Sequence, residues 1–127
     1  MAEEDVVCSS WAAAQYLRML RDTKEDARAS KPKVYVLGMS GIVKEIENAG
    51  FQVIGGPDHN SKTHADLEAE LDIDTLDEEV GAVVVGLDRD INFYKVSMAA
   101  AYVQKGCLFI ASNADSAFPM KPNGTVT

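Results

Sequence analysis

A chain of 127 residues, 46% hydrophobic and 25% charged, has the size and make-up of one ordinary globular domain. Its formal charge of −8 argues against a nucleic-acid or anionic-membrane surface, since phosphate backbones reward clustered Lys and Arg. No apolar run approaches the ~20 residues of a membrane span, the acidic Met1 to Asp5 is the wrong charge for a leader, and Cys8 and Cys107 in apolar surroundings read as free thiols, so the expected compartment is the cytosol.

The first expected element is a helix. Ser9 or Ser10 can cap it by accepting from a backbone N–H two or three residues on. Trp11, Ala14, Leu17 and Leu20 share one face, and Arg18 and Arg21 sit near the end that favours cations. Residues 23–32 are charged and Ser/Ala-rich and read as a loop or linker. Lys33 to Leu37 is a strand, and Pro32 suits its start because it has no N–H to lose. Gly38-Met39-Ser40-Gly41 then turns into a helix with Ile42, Ile46 and Ala49 on one face, with Ser40 as its expected cap and Gly50 as its stop. Phe51 to Ile54 is the second strand of a βαβ unit, so the two strands run parallel. Residues 58–62 are a polar loop, and weak helical patterns cover 63–71 and 75–80. Ala82 to Val85 is the central strand, ending at Gly86-Leu87-Asp88-Arg89-Asp90. A helix from Asn92 to Gln104, stopped by Gly106, leads to a fourth strand, Cys107 to Ala111, which ends at Ser112-Asn113-Ala114-Asp115. Four short strands separated by helices predict an α/β fold, a small mostly parallel sheet flanked by helices. Ligands of such sheets are met at the carboxyl ends of the strands.

Several residue groups invite a chemical reading. Gly38-Met39-Ser40-Gly41 lacks both the three-glycine dinucleotide pattern and the Gly-Lys-Ser/Thr of a P-loop, which leaves a turn. Asp88-Arg89-Asp90 after a hydrophobic strand has the Asp-x-Asp spacing in which one carboxylate attacks phosphorus and the other protonates the leaving oxygen. The favoured reading is different: Asp88 and Asp90 cap the next helix and Arg89 pairs with one of them. His59 and His64 lie five apart, not the four of a helical metal pair, and read as exposed loop histidines. Asn113 and Asp115 stand at the ligand-facing edge, while Met98, Tyr102 and Val103 read as helix packing.

Four ordered blocks carry a resemblance: VYVLG with its following helix, AGFQVIGG, GAVVVGLDRDINFYK and GCLFIASNADSAFP. Together they resemble the cap-bearing middle of haloacid-dehalogenase-superfamily phosphatases, in the branch of p-nitrophenyl, phosphoglycolate and pyridoxal phosphatases. The similarity runs from about Val6 to Thr127, and VVCSSWAAAQYLR resembles the segment joining that family's core to its cap.

The resemblance implies a class II cap-type α/β domain. Residues 1–32 would be the lead-in and connecting helix, 33–119 the cap, and 120–127 a return toward a catalytic core. The nucleophile, the catalytic lysine and the acidic pair that binds Mg²⁺ would belong to that core, so no catalytic or metal-binding residue is expected in this chain. By resemblance, Asn113 and Asp115 would orient a substrate-facing loop, Phe118 would touch the leaving group, and Leu87 would be a second specificity contact. The implied partners are a small phosphorylated substrate, the core, and a second copy of the cap. The alternative is a free-standing flavodoxin- or receiver-like binding module. A receiver needs an acidic pair where this chain has Gly38-Met39-Ser40, and a flavodoxin needs a Ser/Thr-rich phosphate loop there.

Overall fold

In the computed structural model, which describes residues 7–112, the chain runs β1 (Val7–Cys8), α1 (Ser10–Thr23), β2 (Lys33–Leu37), α2 (Ser40–Asn48), β3 (Gln52–Gly55), α3 (His64–Glu70), β4 (Val80–Val85), α4 (Phe93–Gln104) and β5 (Leu108–Ser112). The five strands form one parallel sheet in the order β1-β5-β4-β2-β3. The α/β class read from the sequence is the observed one.

Alternation along the strands builds two cores. Val34 and Val36 of β2, Ala82 and Val84 of β4, and Leu108 and Ile110 of β5 point to one side, where α1 and α2 cover them with Ala13, Leu17, Ile42 and Ile46. Tyr35 and Leu37, with Val83, point to the other side, against Leu67 of α3 and Tyr94, Met98 and Tyr102 of α4. A parallel sheet buried on both faces needs an apolar residue at nearly every position, which is why KVYVL and VGAVVV read as continuous runs.

The differences from expectation have local causes. Residues 7–8 pair with Ala111 and Ser112 as a fifth strand, too short to leave a periodic signal. Trp11 is 61% exposed, because α1 turns Ala13, Ala14, Leu17 and Leu20 to the sheet and the small alanines let the helix approach closely. Residues 75–80 are not helical: a 3-10 turn at Ile73–Thr75 precedes β4, which starts at Val80. Residues 27–30 form another 3-10 turn whose Ala29 joins the first core. The Arg28 carbonyl of that turn lies where a Cβ at position 81 would project, so Gly81 lets the two backbones meet. Ser9 caps α1 by accepting from Ala12 N–H at 3.1 Å. Ser40 is the first residue of α2 and not its cap; that position is Met39, which makes no side-chain cap bond.

Candidate functional site

The helix after β2 crosses to one face of the sheet and the helix after β4 crosses to the other. The loops leaving these two neighbouring strands therefore part, and a crevice opens at their carboxyl ends, as it does wherever strand order reverses in an open α/β sheet. Two adjoining depressions lie there. One, about 250 Å³, is lined by Gly38, Ser40, Pro57, Asn60, Asp88 and Asp90. The other, about 220 Å³, is lined by Ser10, Ser40, Gly41, Leu87 and Arg89. Ser40 borders both. Leu87 stands at the rim of the second, 36% exposed.

Asp88 does not cap α4, and neither does Asp90. That cap is Asn92, whose side-chain oxygen accepts from Lys95 N–H at 2.8 Å. The Asp88 side chain is only 2% exposed and faces Lys95, which is fully buried. Its Oδ2 accepts from Lys95 Nζ at 2.8 Å and its Oδ1 from the Asp90 N–H at 2.9 Å. The other donors of Lys95 Nζ go to the Asp90 carbonyl at 3.2 Å and to Asn60 Oδ1. The buried partner of Asp88 is thus Lys95, while Arg89 lines the crevice. A carboxylate with both oxygens engaged and its charge neutralised is a poor nucleophile, because attack on phosphorus would require those bonds to break first.

Asn92 adds a second tie across the same loops. Its Nδ2 donates to the carbonyls of His59 at 3.0 Å and Asn60 at 3.2 Å, so the start of α4 holds the segment that closes one wall of the crevice. His59 is half-buried rather than an exposed loop histidine. Its Nδ1 lies 3.0 Å from the Tyr35 hydroxyl, and its ring meets the Tyr94 ring edge-on with centroids 5.1 Å apart. Burial, and next the charge of Lys62, hold the imidazole below its ordinary pKa. His64 is exposed and faces Glu68 at 3.5 Å. A bond from the Tyr94 hydroxyl, and next one from Lys62, hold the Glu70 carboxyl below the usual carboxylate range. Among the described residues no group of three or more His, Cys, Asp or Glu is placed to hold a metal ion.

Of the expected site residues, Leu87 lies on the crevice, while Asn113, Asp115 and Phe118 fall outside the described residues. The network of Lys95, Asn60, Asn92 and His59 was not anticipated from the pattern. A signal for Lys95 does exist: it shares a face with Met98, Ala99 and Tyr102, one turn past the cap, where a charge is buried only if something pairs with it. Met98 and Tyr102 are core residues as expected. Val103 instead borders an open apolar groove of about 600 Å³ with Leu37, Val85, Ile91, Val96 and Phe109.

No protein-family model matches the chain. It is 44% identical over 116 residues to the chloroplastic phosphoglycolate phosphatase 1A of Arabidopsis thaliana, covering 90% of this chain and 30% of that one. It is 33% identical to the 4-nitrophenylphosphatase of Schizosaccharomyces pombe (91% and 37%), and 32% identical to the glycerol-3-phosphate phosphatase of Rattus norvegicus (92% and 35%). Among solved structures, a Bacillus subtilis protein described as a p-nitrophenyl phosphatase superposes with a TM-score of 0.53 at 27% identity, over 98% of this chain and 36% of that one. The chain thus spans about a third of the length of the curated relatives it matches. In sequence and in fold, it is homologous to one segment of the haloacid-dehalogenase-type phosphatases of the phosphoglycolate, p-nitrophenyl and glycerol-3-phosphate group.

Proposed function

We propose that the chain is the cap of a Mg²⁺-dependent phosphomonoesterase of this group, selecting a small phosphate ester and closing over a catalytic core that carries the nucleophile. The observation that supports it best is the locked Asp88: the crevice is open, polar and at the switch point of the sheet, yet its buried carboxylate is committed to Lys95 and the Asp90 amide. Such a surface recognises and orients. Ser40, Asp90 and Arg89 offer hydrogen bonds and charge, and Leu87 an apolar contact, to a leaving group. In this reading 33–119 is the cap body, Asn113 and Asp115 orient the substrate-facing loop, and Phe118 touches the leaving group. The cap's share of catalysis is exclusion of water and placement of the ester. Asp88 already has a cation partner in Lys95, and this reading assigns Mg²⁺ to the core.

The apolar groove beside α4 is the corresponding surface for a second copy. Ile91, Phe93, Val96 and Val103 are each more than a third exposed along one flank, the kind of patch that marks an interface. The proposed compartment is the cytosol, and among the described residues no helix is long and apolar enough to cross a membrane.

The test is hydrolysis of p-nitrophenyl phosphate with Mg²⁺ by the chain alone, by its Asp88→Asn variant, and by a chimera of the Bacillus protein carrying this segment in place of its own. The expected result is no turnover above buffer for the first two and turnover by the chimera, with a KM different from that of its host. Turnover by the chain alone that disappears with Asp88→Asn would overturn the reading.

A further inference from the structure

We infer that His59 is a proton-operated latch. Neutral, it ties the 56–60 wall of the crevice to the sheet through Tyr35; protonated, it lets that wall move on the Gly55-Gly56 pair. The parts are arranged in that order along the chain. β3 ends at Gly55, and Gly56 opens the next turn; their φ of +84° and +64° is a backbone that other residues adopt only under strain and that turns the chain sharply out of the sheet. Pro57, Asp58 and Asn60 follow and border the depressions that also contain Ser40 and Asp88. His59 sits among them with its ring turned inward.

The hydrogen-bond chemistry makes the contact sensitive to a single proton. Tyr35 is 1% exposed and burial holds its hydroxyl protonated; in the latch it donates to His59 Nδ1, the arrangement of the tautomer whose neutral ring carries its proton on Nε2. A second proton must enter at Nδ1, where it meets the hydroxyl proton head-on. The hydroxyl then has to rotate, and a donor in a buried site loses its acceptor. The surrounding charges offer little compensation. From α3, Glu70 is already bonded by both the Tyr94 hydroxyl and Lys62. From α4, Lys95 approaches on the other side, its charge committed to Asp88, and the Tyr94 ring packs edge-on. From the histidine's own loop come Lys62, which repels an imidazolium, and the exposed Asp58, which attracts one but is free to do so from solvent. The cheaper response to protonation is for the ring to leave Tyr35 and reach water, taking 57–60 with it. The Asn92 bonds to the His59 and Asn60 carbonyls are the ones that such a movement strains.

The test uses the chain as it is. His59 and His64 are its two histidines, so the exposed His64 serves as an internal reference. Both are titrated by NMR while the amide signals and hydrogen exchange of 55–60 are followed. His59 is expected to titrate below the ordinary imidazole range, the direction that its burial dictates. The amides of Asp58 and Asn60 should shift with His59's midpoint and not His64's, and their exchange, corrected for its intrinsic pH dependence, should accelerate about tenfold. Tyr35→Phe removes the opposing hydroxyl and should move His59 toward His64; His59→Gln should flatten the pH response of the loop. Titration of His59 together with or above His64 would overturn the latch, as would loop amides indifferent to its midpoint. Neither result bears on the phosphatase reading, because no substrate enters the measurement.

Discussion

Replacing Lys95 with Met tests the account of the crevice most directly. The substitution keeps most of the side-chain volume and removes one charge, leaving Asp88, 2% exposed, as a buried carboxylate whose remaining bond is from the Asp90 N–H. Breaking a buried pair from one side costs about 3–5 kcal/mol, because the surviving charge is uncompensated. The Asn60 side chain and the Asp90 carbonyl lose a donor at the same time, but both lie near solvent and can turn to water. Against a domain stability of about 5–15 kcal/mol, the variant should remain folded only marginally. Asp88→Asn in the same chain keeps an acceptor for the Asp90 amide and removes the orphaned charge, so the double variant should be more stable than Lys95→Met alone. Urea unfolding at pH 7 followed by far-UV circular dichroism measures all four corners of the cycle; Trp11, 61% exposed, is a poor fluorescent reporter. A loss below about 1 kcal/mol for Lys95→Met, or additive losses around the cycle, would refute the buried pair as the centre of this loop cluster.

Three further outcomes follow from single contacts. Gly81→Ala places a methyl group on the Arg28 carbonyl oxygen, backbone against backbone, and should cost about 3 kcal/mol or prevent folding, read from the same unfolding curves. Asn92→Ala removes the cap of α4 and two bonds to the 59–60 carbonyls, and should cost about 2 kcal/mol together with faster amide exchange at Asn60. Because His59 is held below its ordinary pKa when folded, the unfolded chain binds the extra proton first. Stability contributed by its neutral form is therefore complete above about pH 6.5 and is lost as pH falls from there through the lower folded value, a decline that His59→Gln should remove from the thermal-unfolding profile.

The strands and the longer helices were legible because burial on two faces writes continuous β-branched runs and because Gly50 and Gly106 end their helices where expected, both at positive φ. What escaped the sequence was set by tertiary contact. Two residues of β1 carry no periodicity, and only the exposed edge of β5 makes them a strand. The helical pattern over 75–80 yields to β4, whose Val80 is needed opposite Lys33 in the sheet. The Asp-x-Asp spacing showed a carboxylate at the ligand edge but not its partner, because Lys95 is seven residues away and becomes a neighbour only when α4 folds back over its own entry loop. His59 was misread for the same reason: a polar stretch marks a loop, and nothing in it reports that Tyr35, 24 residues earlier, reaches up from beneath the sheet edge.

The sheet order by itself does not separate the two functional readings. β3-β2-β4-β5 is the order in which doubly wound domains place small ligands at the gap between the second and third of these strands, so the fold alone is as compatible with a free-standing binding module as with a cap. The residues at that gap favour the proposed cap. A receiver would present an acidic pair at the turn after its first strand, where this crevice has Gly38, Met39 and Ser40. A flavodoxin would present a loop of hydroxyls and free N–H groups, and the start of α2 offers Ser40 alone. What remains is an edge with a few hydrogen-bonding side chains, a movable wall and an apolar rim, able to grip part of a molecule whose reacting atoms lie elsewhere. That is the chemistry the proposed cap would use in closing over another domain's active site.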